Sequence, residues 1–179
     1  TSMVADSRLI LNGGIAEVTN ATALGSASIV VNAGKFVNNV GTVANPITLS
    51  GTGTLASRGG DRTFSGPITI NGNPTIVLAD DGWEQSSTAR AITLSGVVSG
   101  AGKITVVGGA DTTTAKTLLL NNANNTFTGD VEVNAPARTV TLGYRINAPA
   151  GQDFINRAGT LNIGVGASGT DLNKPVIIG

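Results

Sequence analysis

The chain has 179 residues with 11 basic and 11 acidic side chains, a formal net charge of zero, and neither cysteine nor histidine. The missing cysteine and histidine exclude disulfides, cysteine-containing zinc clusters, thiol catalysis and a Ser–His nucleophile. Basic residues do not cluster and no apolar run approaches the roughly 20 residues of a membrane helix, so we expect no nucleic-acid binding and no direct membrane insertion.

Short apolar segments of strand length follow one another along the whole chain, and glycine or asparagine bounds most of them. They predict strands at 8–11, 28–31, 46–49, 67–70, 75–78, 91–94, 103–107, 117–120, 130–133, 139–142, 160–163 and 175–178. Helical signals are weak and confined to 86–91 and 151–157, where a single turn is expected.

Strict alternation of apolar and polar residues marks several of these strands and predicts one buried and one wet face. The side chains expected to point inward are Ile47, Leu49, Ile68, Ile70, Ile92, Leu94, Val131, Val133, Val140 and Leu142.

One strand-and-turn unit occurs twice, with an aromatic residue, a small hydroxyl residue, a glycine and an alternating strand that ends in asparagine. We expect Phe64 and Phe127, the aromatic residues of the two units, to occupy equivalent positions in two coils of a repeating fold, because such units bury their apolar faces by stacking. Ile47 to Gly51 likewise returns as Ile92 to Gly96. The landmark residues of the first unit are Phe64, Gly66 and Asn71, and those of the second are Phe127, Gly129 and Asn134.

A sandwich or barrel also fits many half-buried strands, but a β-solenoid fits the composition better. Aromatic residues make up 3% of the chain, too few for a thick sandwich core, whereas aliphatic side chains fill a narrow interior well. Asparagines that follow strands can hydrogen-bond from one coil to the next. The sequence therefore predicts an all-β fold of stacked coils.

Residues 91–143 resemble the autotransporter-associated β-strand repeat, also called the passenger-associated transport repeat. The shared landmarks are Ser95-Gly96, the Gly100-Ala101-Gly102 turn, a Leu-rich strand, Asn125-Thr126-Phe127-Thr128-Gly129 and a final strand to Gly143. Residues 46–79 form a partial copy. The family's second glycine after the aromatic unit is replaced by Asp130 and Pro67, and Pro136 to Arg138 stands where the family has a glycine.

This resemblance implies a right-handed parallel β-helix that forms one segment, 1–179, of a longer exported passenger. Residues 1–45 would be divergent coils, and 144–179 the C-terminal coils. The implied role is a non-catalytic stalk of a secreted or surface-displayed bacterial protein that supports export, folding and adhesion. The expected location is extracellular or on the cell surface, with neighbouring coils as partners, a glycan or other cell-surface ligand as a possible target, and no cofactor or metal.

Two alternatives remain open. The acids Asp80, Asp81 and Glu84 lie beside the only tryptophan, Trp83, in a candidate loop. The tryptophan could stack on a sugar ring and the acids could polarise the glycosidic bond, as in a carbohydrate-active β-helix enzyme. The plainer interpretation is a solvated insertion between coils. The third interpretation is a subunit that assembles end to end into a surface layer, sheath or fibre, because solenoid ends expose strand edges.

Overall fold

The structure, a computed structural model, describes residues 3, 6–78, 90–108, 116–122, 124–144, 154–165 and 176–178. In these ranges the protein is all-β without any helix, and accordingly no helix there is long and apolar enough to cross a membrane. The strands are β1 Arg8–Val18, β2 Ser28–Asn38, β3 Thr42–Val43, β4 Ile47–Leu49, β5 Thr54–Ser57, β6 Arg62–Phe64, β7 Ile68–Ile70, β8 Thr75–Val77, β9 Arg90–Leu94, β10 Val98–Gly100, β11 Ile104–Val107, β12 Lys116–Leu120, β13 Val131–Tyr144, β14 Phe154–Val165 and β15 Val176–Ile178.

All strand pairs are parallel, and they form three rows that the chain visits in a fixed order. Row A comprises the first half of β1 and β2, then β4, β7 and β10. Row B comprises the second half of β1 and β2, then β5, β8, β11, the first half of β13 and β14, and β15. Row C comprises β3, β6, β9, β12 and the second half of β13 and β14.

We call one passage through rows A, B and C a coil, and residues in register along a row a column. Ile29 pairs with Ile47 and Ile47 with Ile68, so each coil places its strand directly on the strand of the coil before it. Parallel strands in curled sheets with this order are compatible with the predicted β-solenoid.

The core is a set of aliphatic columns inside the three rows. Alternation selects them as predicted, because the burial pattern of β4 and β7 is buried, half-buried, buried. Val140 and Leu142 lie in β13, but their side chains are outside the described ones. The other predicted inward residues are all buried: Ile47, Leu49, Ile68, Ile70, Ile92, Leu94, Val131 and Val133.

Each predicted strand is confirmed, but the sequence missed β3, β5, β6 and β10. These strands are short, and β10 has a single large apolar residue, Val98, so pairing with β7 rather than its own pattern makes it a strand. The expected helical turn at 151–157 is wrong from Phe154 onward, where β14 pairs with β13. Residues 86–89 lie outside the described ranges.

Candidate functional site

The two copies of the aromatic–hydroxyl–glycine unit lie in different rows. Phe64 is the last residue of β6 in row C and pairs in register with Leu94. Phe127 instead lies beside Gly100 of row A, since the Thr126 and Thr128 amides donate to the carbonyl oxygens of Val98 and Gly100. Both rings are fully buried. The prediction that they occupy equivalent positions of two coils is therefore wrong: the second copy is displaced by one row, because every row ends in a similar corner.

The glycines of the two copies mark these corners. A Cβ built on Gly129 would overlap the carbonyl oxygen of Gly102, and one on Gly102 that of Gly72, so the A–B corner contains a column where the backbones of successive coils touch. At the corner between rows C and A, a Cβ on Gly96 would overlap the carbonyl of Gly66 in the same way. These glycines set the distance between coils and leave no room for a side chain.

Asparagine amides connect successive coils, as predicted. Asn32 donates from Nδ2 to Oδ1 of Asn12 at 2.8 Å across the A–B corner. Asn45, which is 8% exposed, donates to the carbonyl oxygens of Gly25 and Ala27 in the preceding coil. The two repeat asparagines, Asn71 and Asn134, are both exposed. Asn71 directly follows β7, and Asn134 lies within β13 at a register shift between its two halves.

The candidate loop of Asp80, Asp81, Trp83 and Glu84 lies outside the described residues. Its place in the chain order is fixed by its neighbours, because β8 of row B precedes it and β9 of row C follows it. Residues 109–115, which include Asp111, also lie outside the described residues, and in chain order they stand between β11 of row B and β12 of row C.

A polar network that the sequence did not reveal occupies the B–C corner, between rows B and C, in the first four coils. Arg58 pairs with Glu17, whose other oxygen accepts a hydrogen bond from Asn39 at 2.9 Å. Asn39 in turn accepts one from Arg62 at 3.1 Å. The carboxylate of Asp61 accepts the backbone N–H of Ala91 at 2.9 Å, which ties the third coil to the start of β9.

The outer surface of the coils at this corner is partly apolar. Val37 alternates with the inward Phe36 and so faces outward, yet its exposed fraction is 0%. The Arg58–Glu17 pair joins the third coil to the first and passes over the second, where Val37 lies in register with Glu17. An ion pair with 16% and 25% side-chain exposure contributes at most about 1 kcal/mol to stability.

The described part of the chain brings no group of three or more His, Cys, Asp or Glu side chains together as a potential metal site. The carboxylate of Asp61, an acidic residue of this corner, accepts the Ala91 amide. The chemistry available at the B–C corner is thus hydrogen bonding by carboxylate, amide and guanidinium groups.

Comparison of the chain with protein-family models, with curated proteins and with solved structures found no match in any of the three. The resemblance to the autotransporter repeat therefore rests on the landmark residues themselves.

Proposed function

We propose that this chain is a non-catalytic structural segment, a stalk or passenger portion of a secreted or surface-displayed bacterial protein, folded as a right-handed parallel β-helix. The observation that carries the proposal is the in-register stacking of successive coils, seen for instance in the columns of Ile29, Ile47 and Ile68. Within the described ranges, eight strand segments stack in row B, which at about 4.8 Å per strand gives a column roughly 34 Å long.

The handedness follows from a general rule. Connections between parallel strands of one sheet are right-handed in about 98% of cases, because a right-twisted strand returns to its sheet most easily that way. The described strands of successive coils are parallel neighbours in a sheet, so this rule favours a right-handed β-helix.

The direction of the hydrogen bonds explains how such a stack could support export. The half-buried Ser28, Thr75 and Thr105 donate their N–H groups to the preceding coil, whereas the inward Ile29, Ile47 and Ile68 donate to the following one. A folded coil therefore presents both donors and acceptors in the register that the next coil needs. A chain emerging from the cell can fold onto it coil by coil, and this growth opposes backsliding.

The adhesive part of the role is assigned to the B–C corner. That corner contains the polar network of Glu17, Asn39, Arg58 and Arg62. In chain order, the candidate loop with Trp83 stands between a strand of row B and a strand of row C. Carboxylate, amide and guanidinium groups suit the hydroxyl groups of a surface glycan, and a tryptophan suits its apolar faces.

The experiment is surface display. The chain is placed between an export leader and an outer-membrane barrel in a Gram-negative host, and exposed protein is quantified by antibody and by protease resistance. Ile70→Asp puts a carboxylate into the fully buried column of row A, whereas the matched Thr69→Asp puts one on the half-buried outer face of the same strand.

We expect Thr69→Asp to reach the surface as the unchanged chain does, and Ile70→Asp to be displayed poorly and digested readily. Equal display of the two variants, with Ile70→Asp shown to be unfolded in isolation, would mean that coil stacking does not support export.

A further inference from the structure

The outer face of row A carries a series of hydroxyl groups, which we call the hydroxyl column. Thr48, Thr69 and Ser99 occupy the outward position of β4, β7 and β10, and they pair in register. Thr126 continues the column, because its N–H donates to the carbonyl oxygen of Val98 as in a parallel ladder. The four hydroxyl groups therefore follow one another at about 4.8 Å along the stack.

The hydroxyl column is available to a ligand. Within the described part of the chain, the side chains of Thr48, Thr69 and Thr126 make no hydrogen bond, and that of Ser99 reaches the carbonyl oxygen of Ile68 at 3.4 Å. Thr48 and Thr69 are half-buried between their neighbours, and Thr126 is exposed. Each hydroxyl offers one donor and two acceptor positions, so the column presents hydrogen-bonding groups at a regular interval.

The same face is uncharged. From β2 onward, each outward position of row A in the described residues has a hydroxyl, an amide, a proline or an aliphatic side chain. The exposed Pro46 and Pro67 flank the hydroxyl column on one side, and Ser50 and Asn71 flank it on the other. Row B differs, since Lys35 stands in its outward column. A ligand of the row A face is therefore neutral, because an ionic group would find no counter-charge there.

The face is small for a protein partner. Five strands at about 4.8 Å and five residues at about 3.3 Å per residue give roughly 24 Å by 17 Å, or about 400 Å². Two copies that met through this face would bury about 800 Å² in total, which is less than the roughly 1,200 Å² of the smaller stable protein interfaces. A narrow ligand that lies along the hydroxyl column fits these dimensions better than a second copy of the chain.

We propose that this face binds a neutral, extended β-1,4-linked polysaccharide whose chain runs along the stack. Successive sugar units of such a chain advance by about the distance between neighbouring strands, so each unit meets one hydroxyl of the column. The sugar hydroxyls exchange hydrogen bonds with the hydroxyl column and with the side chains of Ser50 and Asn71 beside it. The exposed rings of Pro46 and Pro67 contact the apolar faces of the sugar.

The proposal goes beyond the stalk function and does not depend on it, because it requires only the outer face of row A. It is also separate from the glycan contact assigned to the B–C corner, which lies between the other two rows. Display of the chain without binding of this sugar, or binding without display, would tell the two proposals apart.

The test is isothermal titration calorimetry of the purified chain with cellohexaose, a neutral and extended β-1,4-linked hexamer. Maltohexaose is the curved neutral control, and the β-1,4-linked hexamer of glucuronic acid is the charged one. Thr48→Val combined with Thr69→Val removes two adjacent hydroxyls of the column and keeps their shape. Thr54→Val combined with Thr75→Val is the matched control, because these threonines are the half-buried outward neighbours of the same two coils in row B.

We expect saturable binding of cellohexaose, and much weaker binding of the other two hexamers. The row A double variant should bind cellohexaose roughly 4- to 100-fold more weakly, since each lost hydrogen bond accounts for about 2- to 10-fold. The row B double variant should bind it as the unchanged chain does, with circular dichroism unchanged in both. Absence of cellohexaose binding, equal affinity for maltohexaose or for the glucuronic acid hexamer, or equal losses in the two double variants would each overturn the proposal.

Discussion

Replacing Phe64 with alanine tests how rows B and C share one core. The ring is fully buried at the end of β6, with Val43 and Leu94 as its register neighbours in row C. From row B, the ring of Phe36 lies 6.4 Å away between centroids, with the two planes at 54°. The tilted arrangement is one that aromatic pairs favour.

The expected loss has two parts. A Phe-to-Ala change in a packed core costs about 3–5 kcal/mol, because a narrow column cannot collapse around the space that the ring leaves. The lost contact with Phe36 accounts for about 0.5–1.5 kcal/mol of that amount. Phe64→Leu removes the same aromatic contact but keeps most of the volume, so it should cost less than about 1.5 kcal/mol.

The assay is equilibrium unfolding in urea followed by circular dichroism, after checking that a single transition is present, since repeat folds can unfold in parts. Thr63→Ala, on the half-buried face of the same strand, is the control and should change the free energy of unfolding by less than about 1 kcal/mol. A loss below about 1 kcal/mol for Phe64→Ala, or equal losses for alanine and leucine, would refute the account of this core.

Three further changes probe other parts of the stack by the same measurement. Phe127→Ala should also cost about 3–5 kcal/mol because the ring is fully buried, and a loss below about 1 kcal/mol would show that it is not. Gly102→Ala should cost about 1–3 kcal/mol by forcing coils apart, whereas Gly13→Ala, with open space around its Cβ, should be nearly neutral; similar effects would argue against the glycine column. Asn45→Ala should cost about 1–3 kcal/mol because it leaves two carbonyls of the preceding coil without their donor, and a neutral result would mean that water replaces the amide.

Alternation was the part of the sequence that predicted the fold best. In a strand such as Ile68–Ile70, which is buried, half-buried and buried in turn, the alternation of apolar and polar residues itself indicates the inward face. β10 could not be predicted this way, because Val98–Gly100 becomes a strand through the neighbour it pairs with.

The repeat was detected but assigned to the wrong period. Phe64 to Asn71 runs from row C to row A, whereas Phe127 to Asn134 runs from row A to row B. Each of the three rows requires the same pattern, an alternating strand followed by a tight corner. Sequence similarity therefore shows that a segment forms one side of a coil, but it does not show whether that side lies in row A, B or C.

The polar network at the B–C corner could not be found in the sequence. Glu17, Asn39 and Arg58 belong to three successive coils, and the coils differ in length, so no fixed spacing joins them. Their contact depends on the register between strands. The glycines of the corners were visible in the sequence as turn residues, but their stacking also depends on that register.

The pairing of Ile29 with Ile47, and of Ile47 with Ile68, makes the length of this molecule a quantity that changes in steps. Removal of residues 47–67 would bring Ile68 onto Ile29 with every inward side chain still facing inward, and the molecule would shorten by one strand spacing, about 4.8 Å. Removal of one residue more or fewer would turn the strand over and expose its apolar face. Insertions and deletions of whole coils are therefore compatible with the fold, whereas insertions and deletions of part of a coil disrupt the register and the core.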